Sequence, residues 1–199
     1  MSNETVNQPK RSNASLWILV ASFIVPIILA YAYFFLGDKP AVKSNGDLII
    51  PIVDIHTLNI TDKSGNTLTE EQLTPHWQMI YFVGSSCGTD CQNSLYNMRQ
   101  INIGMGKYQD RVNHAIVHLA EPDNALSQLI EKEHKVAGRF YTKAENINAL
   151  SKLEVDVNNM QSIYLVDPLG NIMMYFPKDI KPKLIKKDIN KLLKISRLR

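Results

Sequence analysis

Apolar and polar residues divide the chain into an N-terminal segment and a longer region of mixed character. Residues 1–15 are polar, and the apolar run Leu16–Leu36 that follows contains no charged residue. As a helix this run would be about 31 Å long, which matches the hydrocarbon core of a bilayer. Trp17 stands at one end of the run, and Tyr31 and Tyr33 stand near the other, as in an aromatic belt. The pattern predicts a disordered polar leader at 1–15 and a transmembrane anchor at 16–36.

A cleaved signal peptide is the alternative interpretation of the same run. It would use Ala30-Tyr31-Ala32 as its small-residue cleavage site. Two features favour an anchor that is not cleaved. The apolar run continues beyond that site through Leu36, and the polar leader that precedes it is long.

The remaining residues predict a linker followed by one domain. Residues 37–50 contain Gly, Pro, Ser and Asn, which are typical of a tether, and 51–199 show no second break and no repeat. The predicted strands are 53–56, 58–60, 78–83, 114–119, 163–166 and 172–176. The predicted helices are 91–108, 124–134, 145–153 and 182–198. Asp167–Gly170 has the composition of a type I turn and predicts a hairpin. This order predicts an α/β sandwich around a mixed sheet.

The chain has only two cysteines, and both lie in the pentapeptide Cys87-Gly88-Thr89-Asp90-Cys91. A predicted buried strand and the break Gly84–Ser86 precede the pair, and a predicted helix follows it. A disulfide between these cysteines would close a loop of three residues and remove little chain entropy, so it would contribute little as a staple. The spacing therefore predicts redox or metal chemistry, with an inert disulfide or two buried thiols as the structural alternative.

Two activities suit such a pair. The four-residue spacing places both sulfur atoms on one face of a helix, with Cys87 at its entry and Cys91 one turn inside. The helix N-terminus favours thiolates over thiols. As a dithiol, the pair would attack a partner's disulfide with Cys87 as nucleophile and Cys91 as resolving cysteine. As two soft thiolates, it would hold Cu(I).

Asp90 and the histidines are the other polar residues that could belong to a site. Asp90 either disfavours the neighbouring thiolate or serves as an acidic residue in the first helical turn. His118 ends a predicted strand at the sheet edge where such folds keep their sites, and we expect it to be packed in the core or exposed to solvent. The other histidines show no ligand spacing and receive no role; they are His56, His76, His114 and His134.

The charge balance and the C-terminal helix bear on partners. The 22 Lys and Arg residues and 19 Asp and Glu residues give a formal net charge of +3, so we expect no nucleic-acid partner. Basic residues nonetheless cluster at the end of the chain, where they suit anionic lipid, an acidic docking face, or simple exposure to solvent. They are Lys181, Lys183, Lys186, Lys187, Lys191, Lys194, Arg197 and Arg199.

The chain resembles the Sco/SenC family, membrane-anchored proteins of the thioredoxin fold that serve cytochrome c oxidase assembly. The resemblance is carried by the Cys-x-x-x-Cys motif between a central strand and its helix, by a single N-terminal anchor, and by several segments of the domain. These segments are Leu58–Asn66, Trp77–Phe82, Tyr141–Leu150 and Ile163–Asn171. The resemblance implies a thioredoxin-like fold and a copper-bearing oxidase subunit as partner.

One departure from the family pattern concerns copper. The family places a copper-binding His about five residues before the aromatic residue that matches Tyr164, and this chain has Asn159 there. The neighbouring Met160 is a soft thioether that either replaces the missing ligand or packs into the core. The site predicted from the sequence is therefore Cys87 and Cys91, with Met160 as a further candidate ligand for Cu(I).

Three functions remain open at this point. The first is thiol–disulfide exchange on the copper-site cysteines of an oxidase subunit, the second is delivery of Cu(I) to the oxidase, and the third is a non-catalytic docking module. Because the family's His is missing, the first is favoured over the second. Dithiol sites on anchored domains are common in oxidising compartments, so we expect a single-pass protein of the bacterial inner membrane whose domain faces the periplasm.

Overall fold

The computed structural model describes residues 14–36, 44–73, 76–151 and 161–196. The chain divides between Lys43 and Ser44 into two compact units. The predicted ligand Met160 and the Asn159 that replaces the family's His lie outside the described residues, as does most of the predicted leader.

The first unit contains helix α1, Ala14–Leu36, which has Pro26 in its interior. The helix begins two residues earlier than the sequence predicted, so Ala14 and Ser15 are not part of a disordered leader. Its apolar side chains are exposed, with Ile18 and Phe23 about 70% and 69% accessible. No helix among the described residues meets the length and hydropathy required to cross a membrane. The transmembrane anchor stays a prediction.

The second unit is built on six strands in its described part. They are β1 Asp47–Asp54, β2 Trp77–Val83, β3 Val112–His118, β4 Gly138–Tyr141, β5 Ile163–Val166 and β6 Asn171–Phe176. The strand order in the sheet is β1-β6-β5-β2-β3-β4. Strands β2, β3 and β4 are mutually parallel, whereas β5, β6 and β1 pair antiparallel. This mixed sheet confirms the predicted α/β class.

Helices cover both faces of the sheet. The α-helices of this unit are α2 Glu70–Leu73, α3 Thr89–Gly104, α4 Asn124–Glu133, α5 Asn148–Ser151 and α6 Pro182–Ile195. Turns of 3-10 helix span Ile55–Leu58, Gly106–Arg111 and Ala144–Ile147. One apolar cluster lies between the sheet and α3, α4 and α6, and a second lies on the opposite face beneath the shorter helices. Both faces of β2 are therefore buried.

The start of the domain differs from the sequence prediction. Strand β1 begins at Asp47, inside the segment predicted as a linker, and the predicted strands at 53–56 and 58–60 are replaced by the end of β1 and a 3-10 turn. Asp54 causes the change, because its carboxylate accepts a hydrogen bond from the backbone N–H of His56 at 2.9 Å. Such local bonds from Asp compete with strand pairing.

Two further differences have equally local causes. Helix α3 ends at Gly104, earlier than predicted, because Gly106 adopts a positive φ of 57° that interrupts the helix. Strand β4 was missed, since a four-residue strand with Gly at its start gives little periodic signal. By contrast, β5 and the turn Asp167–Gly170 lie where predicted, with the Gly170 N–H donating to the Asp167 carbonyl at 3.0 Å.

The first residues of the domain are fixed to helix α6 by one carboxylate. Asp188 is buried, and its two oxygens accept hydrogen bonds from Ser44, from both nitrogens of Asn45, and from the Gly46 N–H, at 2.6 to 3.3 Å. Gly46 permits this approach, because a Cβ there would collide with the ring of Phe176. We call this set of bonds the Asp188 clamp.

We expect Asp188→Asn to lower the free energy of unfolding by about 2–3 kcal/mol, because an amide group would face donors with its own N–H. Chemical denaturation monitored by circular dichroism measures the change. Asp110→Asn, at an exposed position, is the matched control and should leave the unfolding midpoint in place. An equal effect of the two substitutions would contradict the clamp.

Candidate functional site

The two cysteines form a disulfide at the junction between the central strand and its helix. Cys87 and Cys91 are bonded, with their Cα atoms 5.3 Å apart, and both are partly buried against the core cluster that α3 covers. Because α3 begins at Thr89, Cys87 lies two residues before the helix, and only Cys91 lies within its first turn. Cys87 thus lies just before the N-cap residue, and Cys91 lies in the first turn instead of one full turn inside the helix as predicted.

Gly88 sets this arrangement. It is the N-cap residue of α3, with extended backbone angles and no side chain to cap the helix. The Gln92 N–H donates to the Gly88 carbonyl at 3.0 Å, and the Gln92 side-chain amide donates to the Cys87 carbonyl at 3.0 Å. Gly88 offers the first N–H groups of the helix no side-chain acceptor. These N–H groups and the positive end of the helix dipole face the cysteine loop.

The negative charge of Asp90, between the two cysteines, is paired with a lysine from a segment distant in sequence. Asp90 lies inside the cysteine loop, and Lys178, in the turn after β6, approaches its Oδ2 to 3.3 Å. The two side chains are 55% and 40% exposed, so the pair contributes little to stability. Its effect is electrostatic, because Lys178 offsets a negative charge that would otherwise disfavour a thiolate on Cys91.

A buried tyrosine underlies the same helical turn. Tyr81 of β2 is 2% exposed, and burial raises the pKa of its hydroxyl, with a smaller contribution from the charge of Asp90. A hydrogen bond with Ser94, one turn beyond Cys91 on α3, opposes this shift. The second turn of α3 is therefore held to the central strand by a buried, neutral polar contact.

His118 ends β3 beside the last residue of β2, Val83, in the parallel ladder. It is 2% exposed, stacks on Tyr141 with ring centroids 5.0 Å apart, and burial lowers its pKa. The expectation of a packed histidine is confirmed. Both rings line a groove of about 560 Å³ at the carboxyl edge of the parallel strands, where Thr61 and Glu121 add polar groups.

Two other histidines, His114 and His134, are buried in the core. His114 and His134 are buried beside the half-buried Arg99, and burial, followed by the neighbouring positive charges, lowers the pKa of His114 to about 4. Within the described ranges, no three His, Cys, Asp or Glu side chains form a group suited to a metal ion. The two cysteine sulfurs are thus the donors that the described site offers to Cu(I).

Sequence reasoning missed Lys178, Gln92 and the contact between Tyr81 and Ser94. Gln92 follows the cysteine motif directly, so its position at the helix N-terminus was an available signal. Lys178 gave no such signal, because its proximity to Asp90 depends on the strand order of the sheet.

We expect Lys178→Gln to slow alkylation of the reduced cysteine pair by iodoacetamide at pH 7 about two- to threefold, because Asp90 would then destabilise the thiolate without compensation. The rate is measured by mass spectrometry. In an Asp90→Asn background, Lys178→Gln should have no effect. A loss of rate that persists in that background would show that Lys178 acts by another route.

Known structures place this geometry in the thioredoxin fold. Yeast Sco1 superposes with a TM-score of 0.53 at 20% identity, covering 81% of this chain and 100% of that one. Copper-bound ScoI of Arabidopsis thaliana gives 0.52 at 12% identity, covering 77% and 100%. A thiol:disulfide interchange protein from Bacteroides sp. gives 0.50 at 13% identity, covering 75% and 90%. The resemblance to Sco/SenC proteins is confirmed at the level of the fold.

Sequence comparison adds the family. No curated protein sequence matches this chain. A family model described as the transmembrane-like, thioredoxin-like C-terminal domain matches residues 77–196, which include the cysteine loop and extend from β2 through α6. Because this match covers more than half of the 199 residues, the chain belongs to that transmembrane-like, thioredoxin-like family.

Proposed function

We propose that this chain is a membrane-anchored, thioredoxin-like assembly factor for cytochrome c oxidase, which exchanges its dithiol with a disulfide formed by the copper-site cysteines of an oxidase subunit. One observation carries the proposal. The partly exposed Cys87–Cys91 disulfide lies in a three-residue loop between a buried central strand and a helix N-terminus. A cross-link in so short a loop contributes little as a staple, whereas the position suits a thiolate that attacks disulfides and a disulfide that thiolates can attack.

The exchange needs only the two cysteines and a client disulfide. The Cys87 thiolate attacks one client sulfur, forming a mixed disulfide and releasing the other client sulfur as a thiolate that takes up a proton. Cys91, as thiolate, then attacks the Cys87 Sγ, which forms the Cys87–Cys91 disulfide and frees the second client sulfur. Two electrons pass from the pair to the client. A dithiol donor must then reduce the pair again.

The surrounding residues support these roles for each cysteine. Cys87 precedes the N-cap residue and lies beyond the helix, where a client sulfur has access, and its carbonyl is held by Gln92. Cys91 is held within the first turn of α3. The helix dipole and Lys178 both favour the thiolate over the thiol.

The proposed client and location are supported by the resemblance to known proteins and by helix α1. The fold is shared with yeast Sco1 and with a thiol:disulfide interchange protein, and the oxidase client comes from the sequence resemblance to Sco/SenC proteins. The exposed apolar side chains of α1 support an anchor. An anchored dithiol site suits the periplasmic face of a bacterial inner membrane.

We expect Cys91→Ser to accumulate a mixed disulfide with the oxidised copper-site domain of an oxidase subunit, because Cys87 can attack and no resolving thiol remains. Non-reducing electrophoresis and mass spectrometry identify the linked species. Cys87→Ser is the matched control and should give less than a tenth as much adduct. Equal adducts in both variants would remove the assignment of Cys87 as nucleophile.

Oxidase assembly in cells distinguishes the exchange proposal from a non-catalytic docking module. If the double variant Cys87→Ser/Cys91→Ser supported normal oxidase assembly in cells, the domain would act as a docking surface and the exchange proposal would be wrong.

Delivery of Cu(I) is the second candidate function, and one observation favours it. When reduced, the pair brings two soft sulfur donors together, with Cα atoms 5.3 Å apart in the oxidised form, and sulfur is the donor that Cu(I) prefers. The protein's copper would here be cargo. The Arabidopsis thaliana ScoI structure contains copper. The third ligand would have to come from Met160 or from a partner.

We expect the reduced chain to bind Cu(I) no more tightly than a generic dithiol peptide, because the described site supplies two donors. Anaerobic titration against a competing chelator measures the affinity, and Met160→Ala should leave it unchanged. Tight one-to-one binding that Cys87→Ser abolishes would contradict a purely redox role. If Met160→Ala also weakened that binding, the thioether would be the third ligand.

A further inference from the structure

Helix α6 presents one face that carries only positive charge. Lys183, Lys187, Lys191 and Lys194 are exposed. At 100° per residue they fall within about 80° of one another on the helix surface, opposite the buried Ile185 and Leu193. We call these four residues the lysine stripe.

No negative charge of the described residues neutralises the stripe. The acidic residue of α6 is Asp188, which is buried and occupied by the Asp188 clamp. None of the ion pairs among described residues includes a stripe lysine. Arg111 adds a further positive charge at the end of the helix, where its guanidinium donates to the Leu193 and Ser196 carbonyls at 3.2 and 3.3 Å. Four like charges left in a row are an anion-binding surface.

The Asp188 clamp determines where the chain enters the domain. Ser44, Asn45 and Gly46 are bonded to α6 itself, so the tether reaches the domain beside the helix that carries the stripe. Only residues 37–43 separate the end of α1 from Ser44. A surface on α6 is therefore within reach of any membrane that α1 enters.

We propose that the lysine stripe binds anionic lipid headgroups and holds α6 against the membrane surface. This rests on the anchoring part of the proposed function and is independent of the cysteine chemistry. Lipid is favoured over an acidic protein because a tether this short would hold α6 at high effective concentration near the membrane that α1 is proposed to enter. Lysines that lie within about 80° of one another on the helix surface can also face a flat anionic surface together. Each lysine near such a surface contributes about a fivefold gain in partition.

The test is a lysine footprint on the full chain. The chain is reconstituted into phosphatidylcholine vesicles, or into vesicles containing one-third phosphatidylglycerol, and acetylated with a neutral reagent. Mass spectrometry gives the rate at each lysine. We expect the stripe lysines to react at least fivefold more slowly on the anionic vesicles, and high salt should reverse the protection. The exposed control lysines Lys63 and Lys135 should react equally on both vesicles.

Matched variants test the charge itself. Lys187→Gln/Lys191→Gln keeps residues of good helix propensity and should abolish most of the protection at Lys183 and Lys194. Lys63→Gln/Lys135→Gln should leave that protection intact.

Three results would overturn the proposal: equal rates on both vesicles, equal slowing of all lysines, or protection that appears only when a membrane-protein extract is added. The last result would assign the stripe to an acidic protein. Flotation with neutral vesicles tests the anchor separately. A chain that floats only with anionic vesicles would refute the anchor while supporting the stripe.

Discussion

The burial of β2 on both faces is the constraint on which the cysteine site depends. Every residue of the strand is buried, and the strand is paired parallel to β3 on one side and antiparallel to β5 on the other. A shift by one residue would exchange the two faces and break both ladders. The end of the strand at Val83 is thus fixed, and the loop that carries Cys87 must begin at Gly84. The position of the cysteine pair therefore follows from the packing of β2.

The same burial explains how much of the fold could be predicted. Strands β2 and β5 are short apolar runs with little alternation, and their positions were predicted to within a residue. Prediction was poorer where one polar side chain redirects the backbone, as Asp54 does after β1, and where a strand is too short to show a period, as in β4. The pattern of apolar residues predicts buried strands well. It does not predict where a side chain such as Asp54 competes with strand pairing for backbone hydrogen bonds.

In the candidate site, too, local features could be predicted from the sequence and contacts between distant segments could not. The cysteine pair was evident from the sequence, because its chemistry and its spacing are local. The compensation of Asp90 by Lys178 was not evident, because Lys178 follows β6, and the strand order places β5 between β6 and β2. The link between the tether and α6 through Asp188 joins residues more than 140 positions apart. Contacts of this kind depend on topology, so the motif alone does not predict them.

The two candidate activities, redox exchange and copper delivery, would depend on the same reduced form of one cysteine pair. Cu(I) binds thiolates, so the disulfide has no copper site, and any affinity for copper stabilises the reduced form alone. A ligand at one hundred times its dissociation constant stabilises the form it binds by about 2.7 kcal/mol. For a two-electron couple this raises the reduction potential by about 58 mV, since about 30 mV corresponds to 1.4 kcal/mol.

A third copper donor would therefore make the pair a poorer reductant whenever copper is present. With two sulfur donors in the described site, we expect the potential of the pair to depend mainly on the helix N-terminus and on the balance between Asp90 and Lys178.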